Sequence, residues 1–345
     1  MHTMKNEQKS ETSPPDVSIL IVSYNTVDLT LKALRSAINE TRDVSFEIIV
    51  VDNHSSDGSK EALRAQFPDV KLIALQKNIG FAAANNLASI HARGRFMLLL
   101  NPDTVVLDRA IDKLVAFAKR QRDAQIWGGR TLFADKSLNK SSCWGAMTLW
   151  TLLCRACGLA SVFRNIEFFN GEAYGNWQRD TQRRVDIVSG CFLLIERKLW
   201  NRLNGFSPLF FMYGEEADLC LRASALGAGP MITPEAAIIH IGGSSEPVRS
   251  QKMIKLLAAK ATLIDRHFTI LTRPIGLALL AAWPLSRKLA SSLMSSITGS
   301  PKWQTSASTW ASVWQARQAW YRGYPLREMA RPYPPGNQRT TPAQA

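Results

Sequence analysis

Long apolar runs are missing from this chain of 345 residues. The nearly uncharged stretch Pro274 to Leu285 ends after 12 residues, where a membrane-spanning helix needs roughly 20. The first fifteen residues, Met1 to Pro15, are polar and hold no apolar h-region, so they are expected to be a disordered leader, neither signal peptide nor anchor. Cysteine is sparse. The five, at 143, 154, 157, 191 and 220, form an odd set without the spacing of a secreted scaffold, which points to a reducing cytoplasm. Cys154 and Cys157 are the one Cys-x-x-Cys pair, and zinc would need two further ligands. No internal repeat or low-complexity segment interrupts the body. Ser23-Tyr24-Asn25-Thr26, after the first expected strand, has neither glycine nor a basic residue. A nucleotidyltransferase would want a glycine-rich, basic phosphate loop there.

What is abundant is positive charge, and it is unevenly spread. Residues 245–345 hold 14 Lys and Arg against 3 Asp and Glu, a surplus of 11 within a net charge of +14. A nearly neutral body therefore carries a basic tail, the region where a membrane or a nucleic acid would be met. The tail has no nucleic-acid recognition motif, and its basic residues punctuate apolar ones, which favours an anionic lipid surface and argues against nucleic acid. Within it, Arg249 to Phe268 has helical spacing. Pro274 to Leu285, followed by Arg287-Lys288, fits either an interfacial helix with Trp283 at headgroup level or a core helix packed on the body. Residues 331–345 are expected to be disordered.

The body alternates strand and helix. Val17 to Ser23, Phe46 to Val51, Val70 to Leu75 and Arg95 to Leu100 are short β-rich, apolar runs, as in strands buried on both faces. Between them, Asp28 to Asn39 and Phe81 to His91 have helical periodicity, and Ser56-Asp57-Gly58-Ser59 marks a turn and helix start. This order predicts a parallel, Rossmann-like sheet flanked by helices. Residues Thr131 to Arg184 read as irregular. Arg184 to Ile195 reads as a further strand, and Glu215 to Leu226 as a helix behind the aromatic loop Phe210-Phe211-Met212-Tyr213.

Asn101-Pro102-Asp103 is the most informative feature. The proline stops the apolar run Arg95 to Leu100 and delivers Asp103 to the C-terminal edge of the sheet, where open α/β sheets bind ligands. A carboxylate there is well placed to hold a divalent ion against a diphosphate. Asp52 closes an earlier strand in the same way, and Glu215-Glu216-x-Asp218 follows about a hundred residues on. Each of these residues also has a plain structural reading: turn or cap for Asp52, Asp57 and the amide Asn25, a helix cap for Asp103, a solvated helix start for the cluster.

Several blocks together resemble the inverting family 2 glycosyltransferases of GT-A fold, and within them the rhamnosyltransferase-type enzymes of bacterial surface-polysaccharide assembly. They are Val22-Ser23-Tyr24-Asn25, Val51-Asp52-Asn53-x-Ser55-x-Asp57-Gly58-Ser59, Asn78-x-Gly80-Phe81-Ala82-x-Ala84-Asn85-Asn86 and Leu100-Asn101-Pro102-Asp103. Then come Gly190 with its apolar run, Phe210-Phe211-Met212-Tyr213-x-Glu215-Glu216-x-Asp218-Leu219-Cys220-x-Arg222, and His240-x-x-Gly243-x-Ser245. The likeness covers residues 17–245 and not the tail. It implies a GT-A domain over 16–245 between the leader (1–15) and a basic helical, membrane-associating extension (246–330), with the tail at 331–345.

The resemblance also implies roles. Asp52 would accept the imide N–H of a pyrimidine base, with Tyr24, Asn25 and Asp57 in the same pocket. Asn78 and Gly80 would belong to the loop that closes on the donor. Asp103 is the last acid of the metal motif, whose first place is here Asn101, counted with the donor-binding set. Asp103 and His240 would hold Mg²⁺ or Mn²⁺. Glu216, in place of the family's usual Asp, would be the general base, with Asp218 as second candidate. The donor would be a dTDP- or UDP-sugar, dTDP-rhamnose in first place. The acceptor would be a lipid-linked saccharide or lipopolysaccharide precursor at the inner face of the cytoplasmic membrane, to which the enzyme would bind peripherally. The other readings are a sugar nucleotidyltransferase and a catalytically silent membrane scaffold.

Overall fold

The computed structural model describes residues 13–242 and 248–324. Most of the expected leader, the end of the His240 block (Gly243 and Ser245) and the expected tail lie outside the described residues. The chain runs β1 (Val17–Ser23), α1 (Val27–Glu40), β2 (Phe46–Asp52), α2 (Ser59–Gln66), β3 (Lys71–Ala74), α3 (Phe81–Ile90), β4 (Phe96–Leu100), β5 (Thr104–Val106), α4 (Ala110–Arg120) and β6 (Ile126–Leu132). Next are β7 (Leu138–Asn139), β8 (Cys143–Trp144), α5 (Leu149–Ala156), α6 (Leu159–Val162), β9 (Arg183–Arg184), β10 (Ile187–Val188), β11 (Phe192–Glu196), α7 (Arg197–Arg202), α8 (Glu215–Ala225) and β12 (Met231–His240). Four helices follow: α9 (Arg249–His267), α10 (Thr272–Thr298), α11 (Pro301–Gln315) and α12 (Arg317–Tyr321).

The main sheet has the order β3-β2-β1-β4-β11-β6-β12-β5. β3, β2, β1, β4, β6 and β12 share one direction, and β11 and β5 run against them. The expected mostly parallel sheet is therefore present. Its strands alternate cleanly: Leu20, Val22, Ile49, Val51, Met97 and Leu99 face one core with α3, α7 and α8. Ile19, Ile21, Ile48, Val50, Leu98 and Leu100 face the other, with α1, α2 and α4. Side chains alternate across a strand, so runs that read as uniformly apolar in sequence are two half-sets, each burying against its own helical layer.

Two expectations are corrected. Arg184 to Ile195 is not one strand but three pieces: β9 at the edge of β12, β10 paired with β8, and β11 in the main sheet. Ser189 and Gly190 break the run. The Ser189 N–H donates to the Ser142 carbonyl (2.9 Å), which pulls the chain out of the sheet before β11 begins. The middle segment is also more ordered than its composition implies. Arg179 is fully buried and donates to the carbonyls of Trp177 (2.7 Å), Ala173 (3.0 Å) and Cys143 (3.3 Å). One guanidinium with several donors thus satisfies backbone that no sheet reaches.

Helices α9 to α12 enclose a third core of Leu257, Ile264, Leu280, Trp283, Val313 and Trp320, joined by Leu152 of α5. Trp283 is buried there, beside Trp310 and under the Arg155 guanidinium, and does not lie at a lipid headgroup level. α10 is far longer than the expected 12-residue uncharged stretch, running past Arg287-Lys288 to Thr298 with Pro284 inside it. Its opposite face, with Leu271, Ile275, Leu289, Leu293 and Ile297, is exposed. Among the described residues, no helix is long and apolar enough to cross a membrane.

Candidate active site

The C-terminal ends of β1, β2, β4 and β12 lie along one edge of the sheet, and the loops leaving them carry most of the expected residues. Asp52 ends β2 and is fully buried. Its Oδ1 accepts from the Ser55 N–H (3.1 Å) and stands 4.0 Å from Lys60 Nζ. Its Oδ2 is buried without a partner. Such an oxygen is rare in a folded protein and calls for an occupant. Tyr24 is exposed just past the end of β1. Asn25 and Asp57 are engaged in the loops themselves. Asn25 Oδ1 accepts from the Ser56 N–H (2.8 Å). Asp57 accepts from Val27 N (2.9 Å) and Ser59 N (3.1 Å), which caps the first turns of α1 and α2.

The loop before α3 is tied to the same edge. Asn53 Nδ2 donates to Asn78 Oδ1 (3.0 Å), Asn53 Oδ1 accepts from Ile79 N (2.9 Å), and Asn78 Oδ1 also accepts from Gly80 N (2.9 Å). Gly80 has φ +89°, and a Cβ there would stand 2.5 Å from the Phe211 ring. Only glycine allows the aromatic loop this close. Phe81 N donates to the Phe211 carbonyl (2.8 Å). Asn86 clamps the start of that loop, accepting from Phe206 N and donating to Phe206 O, both at 2.9 Å.

Asp103 sits in the turn between β4 and β5, not at a helix start, and is largely buried. Its Oδ2 accepts from Gly242 N (3.0 Å), while Oδ1 lies 3.4 Å from His240 Nε2. Asn101 Nδ2 is 3.5 Å from the same nitrogen, and Asn101 Oδ1 is buried without a partner. Burial alone would raise the Asp103 pKa, but the His240 hydrogen bond and charge outweigh it and hold the carboxyl below its usual range. Burial disfavours the His240 cation, yet the adjoining Cys191 sulfur and Asp103 together push its pKa up to about 10. A carboxylate oxygen, an unpartnered amide oxygen and the His240 ring, which a metal ion would ligate only by displacing its proton, converge here. That donor set fits a divalent cation which keeps most of its coordination for water and phosphate. Among the described residues, no group of three or more His, Cys, Asp or Glu forms a closed metal cage.

Glu215 and Glu216 open α8 behind Gly214. Glu215 is buried, and each carboxyl has an Oε2 without a partner. Burial pushes both pKa values up, and the neighbouring Glu216 charge adds to the effect on Glu215. Backbone N–H groups of the α8 start and of Gly190 partly offset this at Glu216. Gly190 adjoins Phe81 and Glu216, and the carbonyl of the next residue, Cys191, accepts from Asn101 N (3.1 Å). A continuous rim thus runs from Asp52 through Asn78, Gly80, Phe81 and Gly190 to Glu216 on one side and Asn101, Asp103 and His240 on the other.

Asp218 is placed otherwise than as a second base. It is fully buried, and its oxygens accept from Arg222 Nε (2.7 Å), Arg266 Nε (2.9 Å) and His267 Nε2 (2.9 Å). Burial is outweighed by His267 and Arg222, which hold its pKa at about 2. A carboxylate so satisfied is a poor proton acceptor and a strong cross-link. The Arg222 pair, one turn along α8, is what i, i+4 spacing in the sequence implies, whereas sequence reasoning missed Arg266 and His267, because they come from the extension and carry no motif. It also gave no role to Asn53, whose amide could have been read from the Asp52-Asn53 pair. A cavity of about 670 Å³ is lined by Phe46, Glu47, Asp69, Lys71, His91 and Arg93. It opens at the opposite, N-terminal edge of β2 and β3, away from the acids.

The chain is similar to known proteins. The family model "Glycosyl transferase family 2" matches residues 18–202, more than half of the chain. The O-antigen biosynthesis protein RfbC of Myxococcus xanthus is 28% identical over 235 residues, 66% of this chain and 17% of that protein. This chain therefore spans about a sixth of that relative. The N-acetylglucosaminyl-diphospho-decaprenol L-rhamnosyltransferase of Mycobacterium tuberculosis is 26% identical over 225 residues, 61% of this chain and 71% of that one. The mannosyltransferase PcManGT of Pyrobaculum calidifontis, solved with GDP-Man and Mn²⁺, superposes with a TM-score of 0.55 at 18% identity, covering 90% of this chain and 88% of that chain. The shared fold is GT-A. The chain belongs to glycosyl transferase family 2 and is rhamnosyltransferase-like.

Proposed function

We propose that the protein is an inverting glycosyltransferase of surface-polysaccharide assembly, moving rhamnose from dTDP-rhamnose, or a hexose from a UDP-sugar, to a lipid-linked saccharide or lipopolysaccharide precursor. The observation that carries this reading is Glu216. It is a carboxylate with a raised pKa and an unpartnered oxygen, on the rim that also holds Asp103 and Asp52. A base of that kind suits removal of a proton from a sugar hydroxyl. Glu216 takes the acceptor proton as the hydroxyl oxygen forms its bond to the anomeric carbon. The bond from that carbon to the diphosphate breaks on the opposite face, and the nucleoside diphosphate leaves with the electron pair. Asp52 Oδ2, lacking a donor, receives the imide N–H of uracil or thymine, which cytosine lacks. Asp103 and His240, with Asn101 beside them, would hold Mg²⁺ or Mn²⁺, which when bound supplies positive charge to the leaving diphosphate. The aromatic loop Phe210 to Tyr213 supplies apolar surface for a sugar ring.

The lipid-linked acceptor and the rhamnosyl donor draw support from the M. tuberculosis relative, whose name specifies a decaprenol-linked substrate. The exposed face of α10 and the basic tail support peripheral binding of an anionic membrane at its cytoplasmic side. Purified protein with Mn²⁺ is screened against dTDP-rhamnose, UDP-hexoses and GDP-mannose by thermal shift. A shift with GDP-mannose alone sinks the pyrimidine reading. In flotation of the full chain, binding to neutral vesicles that equals binding to anionic ones sinks the membrane reading.

A further inference from the structure

The aromatic loop and the start of α8 are held from two sides. On the donor side, Phe211 contacts Gly80 and Phe81. On the other side stands the C-terminal extension, beyond the residues that the family model matches. Gly214 is pressed between Phe210 and α9: a Cβ on it would meet the Phe210 ring at 3.0 Å and Ala259 Cβ at 3.1 Å. After α12 the chain returns to the same place. Gly323, with φ +72°, leaves room only for hydrogen, since a Cβ would stand 2.6 Å from Thr262 Oγ1. Tyr324 N then donates to Thr262 Oγ1 (2.8 Å), its ring packs edge-on to Phe210 at 6.1 Å, and its hydroxyl donates to the Met212 carbonyl.

Two residues past Glu216 in α8, Asp218 is bonded to Arg266 and His267 at the end of α9. Arg222 completes the tie, donating to Leu203 O (2.7 Å) and Gly205 O (2.8 Å) in the segment that leads into the aromatic loop. Loop, acid helix and extension are therefore one cross-linked unit.

We propose that Tyr324, at the end of the C-terminal helices, is a positioning residue that fixes the loop and helix start bearing Glu216. The proposal rests on Glu216 being the base. Burial and the neighbouring Glu215 charge push the pKa of the Tyr324 hydroxyl up, so it stays a donor throughout the working pH range. A phenol held on one backbone carbonyl, through a ring packed on Phe210, sets the height at which Met212 to Gly214 enter α8. Accurate placement of a base matters strongly to rate, whereas the donor pocket around Asp52 and Asp103 has no bond to Tyr324.

The test uses the full-length chain with Tyr324→Phe, and Tyr321→Phe, an exposed neighbour, as control. Three readouts are taken: amide hydrogen exchange over residues 209–216, dTDP affinity with Mn²⁺, and hydrolysis of dTDP-rhamnose and UDP-glucose without acceptor. Tyr324→Phe is expected to speed exchange at 209–216 about tenfold, the scale of one lost buried hydrogen bond. Hydrolysis should fall by a similar factor with dTDP affinity within about twofold, and Tyr321→Phe should match wild type in all three. Unchanged exchange at 209–216, or a loss shared equally by dTDP binding, overturns the proposal. Wild-type protein that hydrolyses neither sugar nucleotide counts against the proposed function, while the exchange measurement still decides the role of Tyr324.

Discussion

Asp218→Asn separates a structural acid from a catalytic one. The carboxylate is fully buried among Arg222, Arg266 and His267, with a folded pKa of about 2 against an ordinary value of 3.8. At 1.36 kcal/mol per unit, that depression corresponds to about 2 kcal/mol of stability. Because the folded pKa is the lower one, this stability is present above pH 3.8 and is lost as pH falls through about 2. The amide also leaves the Arg222 and Arg266 guanidinium groups facing a neutral side chain, so the total loss at pH 7 should reach about 3 to 5 kcal/mol, as when one member of a buried ion pair is removed. Urea unfolding at pH 7 and at pH 3 reads both effects. The deficit at pH 7 should be large and should shrink toward low pH as the wild-type carboxylate begins to protonate. At a temperature where the variant is folded, its dTDP affinity should match wild type. A deficit under about 1 kcal/mol, or one that does not change with pH, refutes the cross-link. A fully stable but inactive Asp218→Asn would return Asp218 to the catalytic set.

Other consequences follow from single contacts. Gly80→Ala places a Cβ 2.5 Å from the Phe211 ring and 2.6 Å from its carbonyl at φ +89°; thermal unfolding should show a loss of about 2 to 4 kcal/mol, with weaker nucleotide binding. Glu215 has its pKa raised by burial and by Glu216, so its ionisation favours the unfolded chain once pH passes the unfolded value of 4.5. Glu215→Gln should therefore be more stable than wild type at pH 8 and equal to it below pH 4, read by the unfolding midpoint. Leu289→Glu with Leu293→Glu, on the exposed face of α10, should weaken flotation with anionic vesicles by about tenfold and leave the unfolding midpoint within a degree or so.

The first half of the chain was legible because β1, β2 and β4 are buried largely on both faces and each helix on one, while β3, expected to be buried likewise, is a half-exposed edge strand. Apolar runs such as Phe96 to Leu100 and the 3.6-residue rhythm of α1 are direct imprints of that layering. The strand read over Arg184 to Ile195 contains most of β11, but its antiparallel course is set by partners far away in sequence, and the break at Ser189-Gly190 depends on the Ser142 carbonyl. The stretch Pro274 to Leu285 is bounded in sequence by the charges at Arg287-Lys288, but α10 runs on to Thr298, packed against α5, α9 and α11. The acids were visible as residues but not as environments. Asp218 and Glu216 lie two positions apart on one helix, yet two arginines and His267 meet the first, while the second keeps an oxygen without a partner. Tyr324 left no trace in the sequence, since its meaning lies in the Met212 carbonyl.

Nucleoside diphosphate release from dTDP-rhamnose and UDP-hexoses, measured with Mn²⁺ for wild type, Glu216→Gln and the Asp103→Asn/Glu216→Gln double variant, tests the central claim most directly. The expected result is release by wild type, a fall of at least about 100-fold in Glu216→Gln with dTDP binding kept, and loss of both in the double variant. Wild-type turnover by the double variant would contradict the assignment of these two acids to one catalytic site.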